Sequence, residues 1–554
     1  MKKLSLLICL LATFVLTSCQ TNPSINESNS DESESQPIES PSESETESDE
    51  ESESEYIESE SEFESESEPE SENKGYLPKT VEGFTYIENS ELVYDQFTDS
   101  APHEGEANML VIPLEFKQGN PKYTKIDWTG SNKAKIKNLF FGSNEEVPDQ
   151  WRSLKTYFEE VSKNDIEVNG MVTDVYEVPS PYTFKYIIEN ETHDMSLLHQ
   201  VFADSIEWVK QNHTDVDWSQ YDMNQDGNID NLHFITNTSY LTTLEGEISP
   251  FWPHAWTLPY NSEGTPENPT GYTYEATSLG HIEESSQTLI HEQGHVFGVE
   301  DYYDVSYHEP EINYVGSCDM QSLNIFDWNS FSKFSVGWAN PYYFDGSKDS
   351  ATITIESAAL TNECIVVPAD PKNYNKSAFS EYFLIELFTN DGVNEKDWNE
   401  YFNRTTFGIR LYHVDARVYW YTSYDEETNS YDGEVVDTTQ DVIDLAKNGY
   451  GVRTGANNAY DYRDYTGVKS AADFKLLSLI QRGAEDTFGT GKRPLLNEMD
   501  LFYTGDIFTF ERYSHFLSKS GQKVTTMNNG ETFPYEISFD EVAHDSATIT
   551  ISFE

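Results

Sequence analysis

Residues 289–304 read LIHEQGHVFGVEDYYD, and the reading of this stretch decides the fold. Of thirteen histidines, only His291 and His295 stand four apart. Four residues is about one helical turn, so both imidazoles leave one face of a predicted helix. Glu292 follows the first of them, turned roughly 100° around the axis. From there its carboxylate reaches a water beside a bound metal without ligating the metal. Leu289, Ile290, Val296 and Phe297 supply apolar anchorage. Ser285 and Ser286 are the predicted N-caps. Gly298 suits the left-handed conformation that ends a helix and turns the chain.

A structural zinc site has four protein ligands; a catalytic one has three and an open position. The third ligand is expected just past the glycine. Asp301 stands three residues beyond Gly298, giving HExxHxxGxxD, while Glu300 and Asp304 compete for the same role. HExxH is the zinc-peptidase arrangement, two imidazole ligands and a general base. Metzincins carry a His at the third position, and some of their relatives carry Asp. The expected activity is hydrolysis of peptide bonds by a zinc-activated water. His291, His295 and Asp301 would hold the zinc, and Glu292 would be the catalytic base.

Further along come VGSCDMQS and WNSFSKFSVGW. With HEQGHVFGVEDYYD, these segments resemble the immune-inhibitor-A-like zinc metallopeptidases, a secreted bacterial family related to metzincins. The resemblance extends from about residue 105 towards the C-terminus, through NMLVIPLEF, SLKTYFEEVSKNDIEVNG, FWPHAWTL, EYFLIELFTNDG and GIRLYHVD. It implies a metzincin-like catalytic domain, with FWPHAWTL as an edge strand along the cleft. It also implies a Met-turn, a hydrophobic floor beneath the zinc, at Met320. Cys318 stands where the family usually has Trp. Some metzincins add a Tyr after the Met-turn. Here Gln321 and Ser322 follow Met320, so that helper is not assigned.

A second metal candidate precedes the helix. Asp222, Asn224, Asp226, Asn228 and Asp230 place oxygen side chains around Gly227 in the order of an EF-hand loop. Position twelve is His233 rather than the bidentate Glu, so calcium here is expected to be weaker or completed from elsewhere. The alternative is an Asx/Gly turn between helix and strand. His254 is read as a satisfied strand residue, and His413 with Asp415 as a structural hydrogen-bonding pair.

The 554 residues carry 99 Asp+Glu against 34 Lys+Arg, a formal charge of -65. That excludes nucleic acid, and equally an anionic membrane surface, as a natural partner. Residues 1–19, MKKLSLLICLLATFVLTSC, form a signal peptide too short to span a bilayer. Its end resembles a bacterial lipobox, which implies lipidation of Cys19. Residues 20–74 carry a net charge of -20 and alternate Ser and Glu, which predicts a disordered, extended linker. The expected location is extracellular, with the membrane met only through the lipid anchor.

The rest reads as α+β. Residues 75–345 interleave helices and strands as a metzincin-like catalytic domain, and residues 346–554 form a β-rich C-terminal region. Predicted helices cover 151–162 and 195–211; predicted strands include 111–116, 383–387, 407–412 and 547–553. The heptapeptide DSATITI occurs at 349–355 and again at 545–551, with the alternation of a half-buried strand. Residues 76–105 read as either a short pro-segment or the start of the domain. Cys318 and Cys364 are the two cysteines left for a possible disulfide. The expected partners are protein or peptide substrates. Two other readings stand beside this one: a non-catalytic surface-binding lipoprotein, and a glycoprotein-directed protease whose C-terminal half binds sugar.

Overall fold

A computed structural model describes residues 76–88, 101–117, 125–147, 151–191, 195–239, 243–244, 247–259, 261, 263–282, 286–304, 312–398, 407–425, 430–436, 450–453, 455–457, 464–465, 474–493 and 495–554. The signal peptide, Cys19, the Ser/Glu linker and Ser285 lie outside these residues. Residues Lys74–Glu554 belong to one compact unit. No helix among the described residues is long and apolar enough to cross a membrane.

The architecture is α+β, with several sheets and few long helices. The first main sheet has the order Ile166–Val172, Gly105–Glu115, Asn231–Thr236, Thr273–Ser278, His254–Thr257. Its first four strands are parallel, and His254–Thr257 closes one edge antiparallel. The Gly105–Glu115 strand is buried from Ala107 to Leu114, as a sheet covered on both faces requires.

One face of this sheet, through Leu110, Ile112, Leu232, Phe234 and Tyr274, packs on Phe202, Ile206 and Val209 of the Ser196–Asn212 helix. The other face, through Met109, Val111 and Ile235, joins a core containing Leu289, Ile290, Met320 and Trp328.

The second main sheet runs Phe84–Tyr86, Asn340–Phe344, Glu363–Pro368, Glu381–Phe388, Gly408–Asp415, Leu477–Leu479. Alternation splits its side chains between two cores. Val366, Leu384, Tyr412 and Val414 face the Met320 segment. Ile365, Phe383, Ile385 and Leu411 face a third sheet that carries Ile353, Ile537 and Ile549. The chain therefore stacks in layers: helix, sheet, the Gln287–Val296 helix with the Met320 segment, sheet, sheet. Residues on both sides of the 345/346 boundary share the central core.

The two DSATITI copies pair with each other. Ser350–Glu356 lies antiparallel to Ser546–Phe553, with Ile353 opposite Ile549. The isoleucines point into the core. The threonine hydroxyls meet on the outer face, Thr352 with Thr550 at 2.7 Å and Thr354 with Thr548 at 2.9 Å.

Within 76–105, residues 76–88 join the second sheet, while Gly105 begins a strand of the first. Phe84–Tyr86 pairs with Asn340–Phe344, and the Tyr76 hydroxyl donates to Glu363 at 2.6 Å.

Candidate metal centre

The Gln287–Val296 helix buries Leu289, Ile290, His291, Glu292, Gln293, Gly294 and Val296. Ser286 occupies the N-cap position, but its hydroxyl makes no capping bond because its backbone is already helical. At the other end Gly298 adopts φ 86°, and its N–H donates to the His295 carbonyl at 2.9 Å. The reversal brings Val299 back over the helix, and Asp301 reaches the imidazoles two residues later.

The rings of His291 and His295 lie 4.9 Å apart at 90°. Asp301 Oδ1 is 3.1 Å from His291 Nε2 and 3.4 Å from His295 Nε2. These three side chains form a group whose ligand atoms lie within 4.8 Å of one another; Glu300 and Asp304 are not in it. It is the one such group of three or more His, Cys, Asp or Glu among the described residues.

Each imidazole is held by its other nitrogen. His291 Nδ1 lies 2.8 Å from the Met320 carbonyl oxygen, and His295 Nδ1 lies 2.7 Å from the Val299 carbonyl oxygen. A carbonyl can only accept, so Nδ1 carries the proton and Nε2 offers a lone pair in the neutral ring. His291 Nε2 and Asp301 Oδ1 are buried without a hydrogen-bond partner. Two imidazole nitrogens and a carboxylate oxygen converging on one point form the donor set of a three-ligand zinc site. The residues present therefore fit a divalent cation.

Electrostatics point the same way. Burial alone would lower the His295 pKa; the Asp301 carboxylate outweighs it and raises the pKa to about 9. Burial would raise the Asp301 pKa; the two histidines outweigh it and hold the carboxyl well below the usual carboxylate range. The site thus retains a positive charge opposite Asp301, in the place a cation would take.

Glu292 is fully buried beside the group. Burial raises its pKa, the two histidines oppose that rise, and the Ala255 N–H on the His254–Thr257 edge strand donates to its carboxylate. A carboxyl with a raised pKa next to a cation site is suited to accept and return a proton.

Met320 is buried and opens the short Met320–Leu323 helix, capped by Asp319, whose Oδ1 accepts from the Gln321 N–H at 2.8 Å. Sequence reasoning passed over Gln321. Its Nε2 donates to the His291 carbonyl at 3.1 Å, and its Oε1 accepts from Trp328 Nε1 at 3.2 Å. A Cβ at Gly294 would collide with Gln321 Oε1, so any larger residue there must displace this buried carboxamide. Tyr303 was also missed; its ring lies 6.5 Å from that of His291 at 26°. The pattern of the chain carries no signal for either.

The calcium candidate is a tight loop. Asp222 accepts from the Asp226 and Gly227 N–H groups at 3.0 and 2.8 Å, and Asp230 Oδ2 accepts from the Met223 N–H at 2.7 Å. Asn228 Oδ1 and Asp230 Oδ1 are buried without partners. Burial, with Asp222 and Asp226 nearby, pushes the Asp230 carboxyl up to about 8. Its three carboxylates are not gathered as closely as the histidine group. His233, at position twelve, is drawn away onto the Asn231–Thr236 strand, where Nδ1 lies 3.0 Å from Glu275.

His254 is a satisfied strand residue: Nδ1 meets the Trp252 carbonyl at 2.8 Å and Nε2 the Tyr274 hydroxyl at 3.3 Å. His413 and Asp415 do not bond each other. Both sit on one strand, and each finds another partner: His413 Nε2 lies 2.9 Å from Glu381, and Arg417 donates twice to Asp415 at 2.8 and 2.9 Å. Cys318 and Cys364 are both free and buried, with no disulfide between them. A cavity of about 620 Å³, lined by His199, Glu207, Leu258 and Asn261 among others, includes none of the three metal-group residues.

No protein-family model matches the chain, and no curated protein matches it.

Proposed function

We propose that this protein is an extracellular, lipid-anchored zinc metalloendopeptidase with a metzincin-like catalytic region, similar to the immune-inhibitor-A-like enzymes. The observation that carries the reading is the convergence of His291 Nε2, His295 Nε2 and Asp301 Oδ1, two of these atoms buried without hydrogen-bond partners. A zinc ion held by these atoms would supply Lewis acidity to a peptide carbonyl and acidify a water.

The chain's own residues supply the rest. The His254–Thr257 strand pairs on one side only, so its open edge would receive an extended peptide, while its Ala255 N–H donates to Glu292. Glu292 takes the proton of the attacking water and returns it to the leaving amine. The Met320 and Val299 carbonyls keep both imidazoles in the tautomer that ligates through Nε2. The Asp222–Asp230 loop would bind calcium as a structural site, its buried Asn228 and Asp230 oxygens being the acceptors in need of a partner.

The test is metal analysis of the purified protein beside a casein hydrolysis assay, with Glu292→Ala in parallel. Wild type should carry about one zinc at this centre and cleave. Glu292→Ala should carry the same zinc and not cleave. Full hydrolysis by Glu292→Ala overturns the mechanism. A wild type that neither takes up zinc nor cleaves favours the surface-binding lipoprotein instead.

A further inference from the structure

We propose that the buried Glu386–Arg410 pair of the β-rich half is a positioning element for the metal centre, fixing the loop that presents the Met320 carbonyl to His291. The inference rests on the zinc reading above.

Arg410 and Glu386 stand directly opposite each other on neighbouring antiparallel strands, both almost fully buried. Arg410 Nε donates to Glu386 Oε1 at 2.5 Å, and the guanidinium lies 3.9 Å over the Phe388 ring. One further nitrogen leaves the sheet: Arg410 Nη1 donates to the Cys318 carbonyl at 2.7 Å. The second Glu386 oxygen also leaves the sheet, accepting from the Ser330 N–H at 2.7 Å and the Ser330 hydroxyl at 2.5 Å. The pair therefore grips the Met320 segment at both ends, two residues before the methionine and ten after it.

Between these grips the segment is closed on itself. Asp319 Oδ2 accepts from the Asn329 N–H at 2.7 Å and from Asn329 Nδ2 at 2.8 Å. From this closed loop two bonds pass to the metal-bearing helix, the Met320 carbonyl to His291 Nδ1 and Gln321 Nε2 to the His291 carbonyl. The path from Arg410 to the ligand imidazole is thus Arg410, Cys318 carbonyl, Met320 carbonyl, His291. It crosses from the β-rich half to the helix through the shared core.

Burial of an ion pair is a poor way to gain stability, because desolvation offsets the attraction. A geometric role accounts for the pair better than an energetic one. Outer groups that orient a metal-bound imidazole typically change metal affinity about 10–100-fold when removed.

The test compares three full-length variants with wild type by zinc competition titration and by the visible spectrum of the cobalt(II)-substituted protein. Arg410→Met combined with Glu386→Gln removes both charges together and drops the bond to Cys318. Arg410→Lys keeps the charge and reaches fewer acceptors; it decides the matter if the double variant does not fold. Arg417→Lys alters a second buried ion pair, between Asp415 at the end of the Gly408–Asp415 strand and Arg417 just past it. Both Arg410 variants should bind zinc about 10-fold or more weakly and shift the cobalt bands, with Arg417→Lys like wild type. Folded Arg410 variants with wild-type zinc affinity and cobalt spectrum overturn the proposal, as does an equal loss in Arg417→Lys. Failure of wild type itself to bind zinc overturns the underlying metal reading instead.

Discussion

His291 Nδ1 lies 2.8 Å from the Met320 carbonyl oxygen, a bond between residues 29 apart in sequence. It sets the tautomer of a buried imidazole from outside the helix that carries it. The helix alone places two rings on one face; only the returning chain, through Met320 and Val299, decides that both present Nε2 inward. The site is thus a product of three segments: the 287–296 helix, the turn to Asp301 and the Met320 loop.

Asp301 is the carboxylate that meets both rings, and the zinc reading makes it the third ligand. Asp301→Asn keeps the shape and removes the charge, so zinc affinity should fall by more than the 10–100-fold typical of outer groups. Asp304→Asn should leave it near wild type, because Asp304 is not in the converging group. Competition against a zinc chelator measures both. Equal losses would mean the wrong carboxylate has been chosen.

Zinc binding should depend on pH through His295. Its pKa, pushed up to about 9 by Asp301 against the effect of burial, means the metal-free site holds a proton at neutral pH. Zinc must displace it, so apparent affinity should rise with pH up to about 9 and then level. The metal-free fold behaves in the opposite sense. A histidine with a raised folded pKa stabilises fully below its unfolded value of about 6.5, and that contribution is lost as pH rises through 9. The Tm of metal-free protein should therefore contain a falling component between pH 6.5 and 9, which zinc removes. A zinc affinity flat from pH 7 to 9 would rule this out.

Gly294→Ala should destabilise the protein although alanine is the better helix former. The helical gain is about 1 kcal/mol. Against it stands the displacement of the Gln321 carboxamide, which is buried and bonded to the His291 carbonyl and to Trp328 Nε1. Two displaced bonds at about 1 kcal/mol each, plus overpacking of about 1–3 kcal/mol, leave a net loss of about 2–4 kcal/mol. Urea denaturation reads it. Adding Gln321→Ala should recover part of the loss, because the two substitutions share one contact.

Much of this was legible because it is local. The spacing of His291, His295 and Gly298 follows helical geometry and needs no tertiary information. The strands at 381–388, 408–415 and 546–553 announce themselves by apolar runs or alternation. What was not legible is non-local. The DSATITI copies look like incidental strand chemistry until their register sets Ile353 opposite Ile549 across almost 200 residues. His413 and Asp415 look like a pair in sequence, yet strand neighbours draw them to Glu381 and Arg417. Arg410 carries no motif at all; its reach to Cys318 exists only because two halves of the chain share one core.

The Asp222–Asp230 loop supplies the last prediction. Burial raises the Asp230 carboxyl to about 8, above its unfolded value of about 3.9. Between those two values the folded state keeps a proton that the unfolded chain has lost. Without a cation, stability should therefore fall as pH rises from 4 to 8, because ionising Asp230 beside Asp222 and Asp226 costs free energy. Calcium would reverse that cost by partnering the buried oxygens of Asp230 and Asn228. At pH 8 calcium should raise Tm by several degrees and chelation should lower it, with a smaller effect at pH 5. Asp230→Asn removes the ionisation, so it should raise the cation-free Tm at pH 8 and blunt the calcium response. A wild-type Tm indifferent to calcium at both pH values would leave the loop as an Asx/Gly turn. If Asp230→Asn kept the full calcium response, the binding would lie elsewhere in this acidic chain.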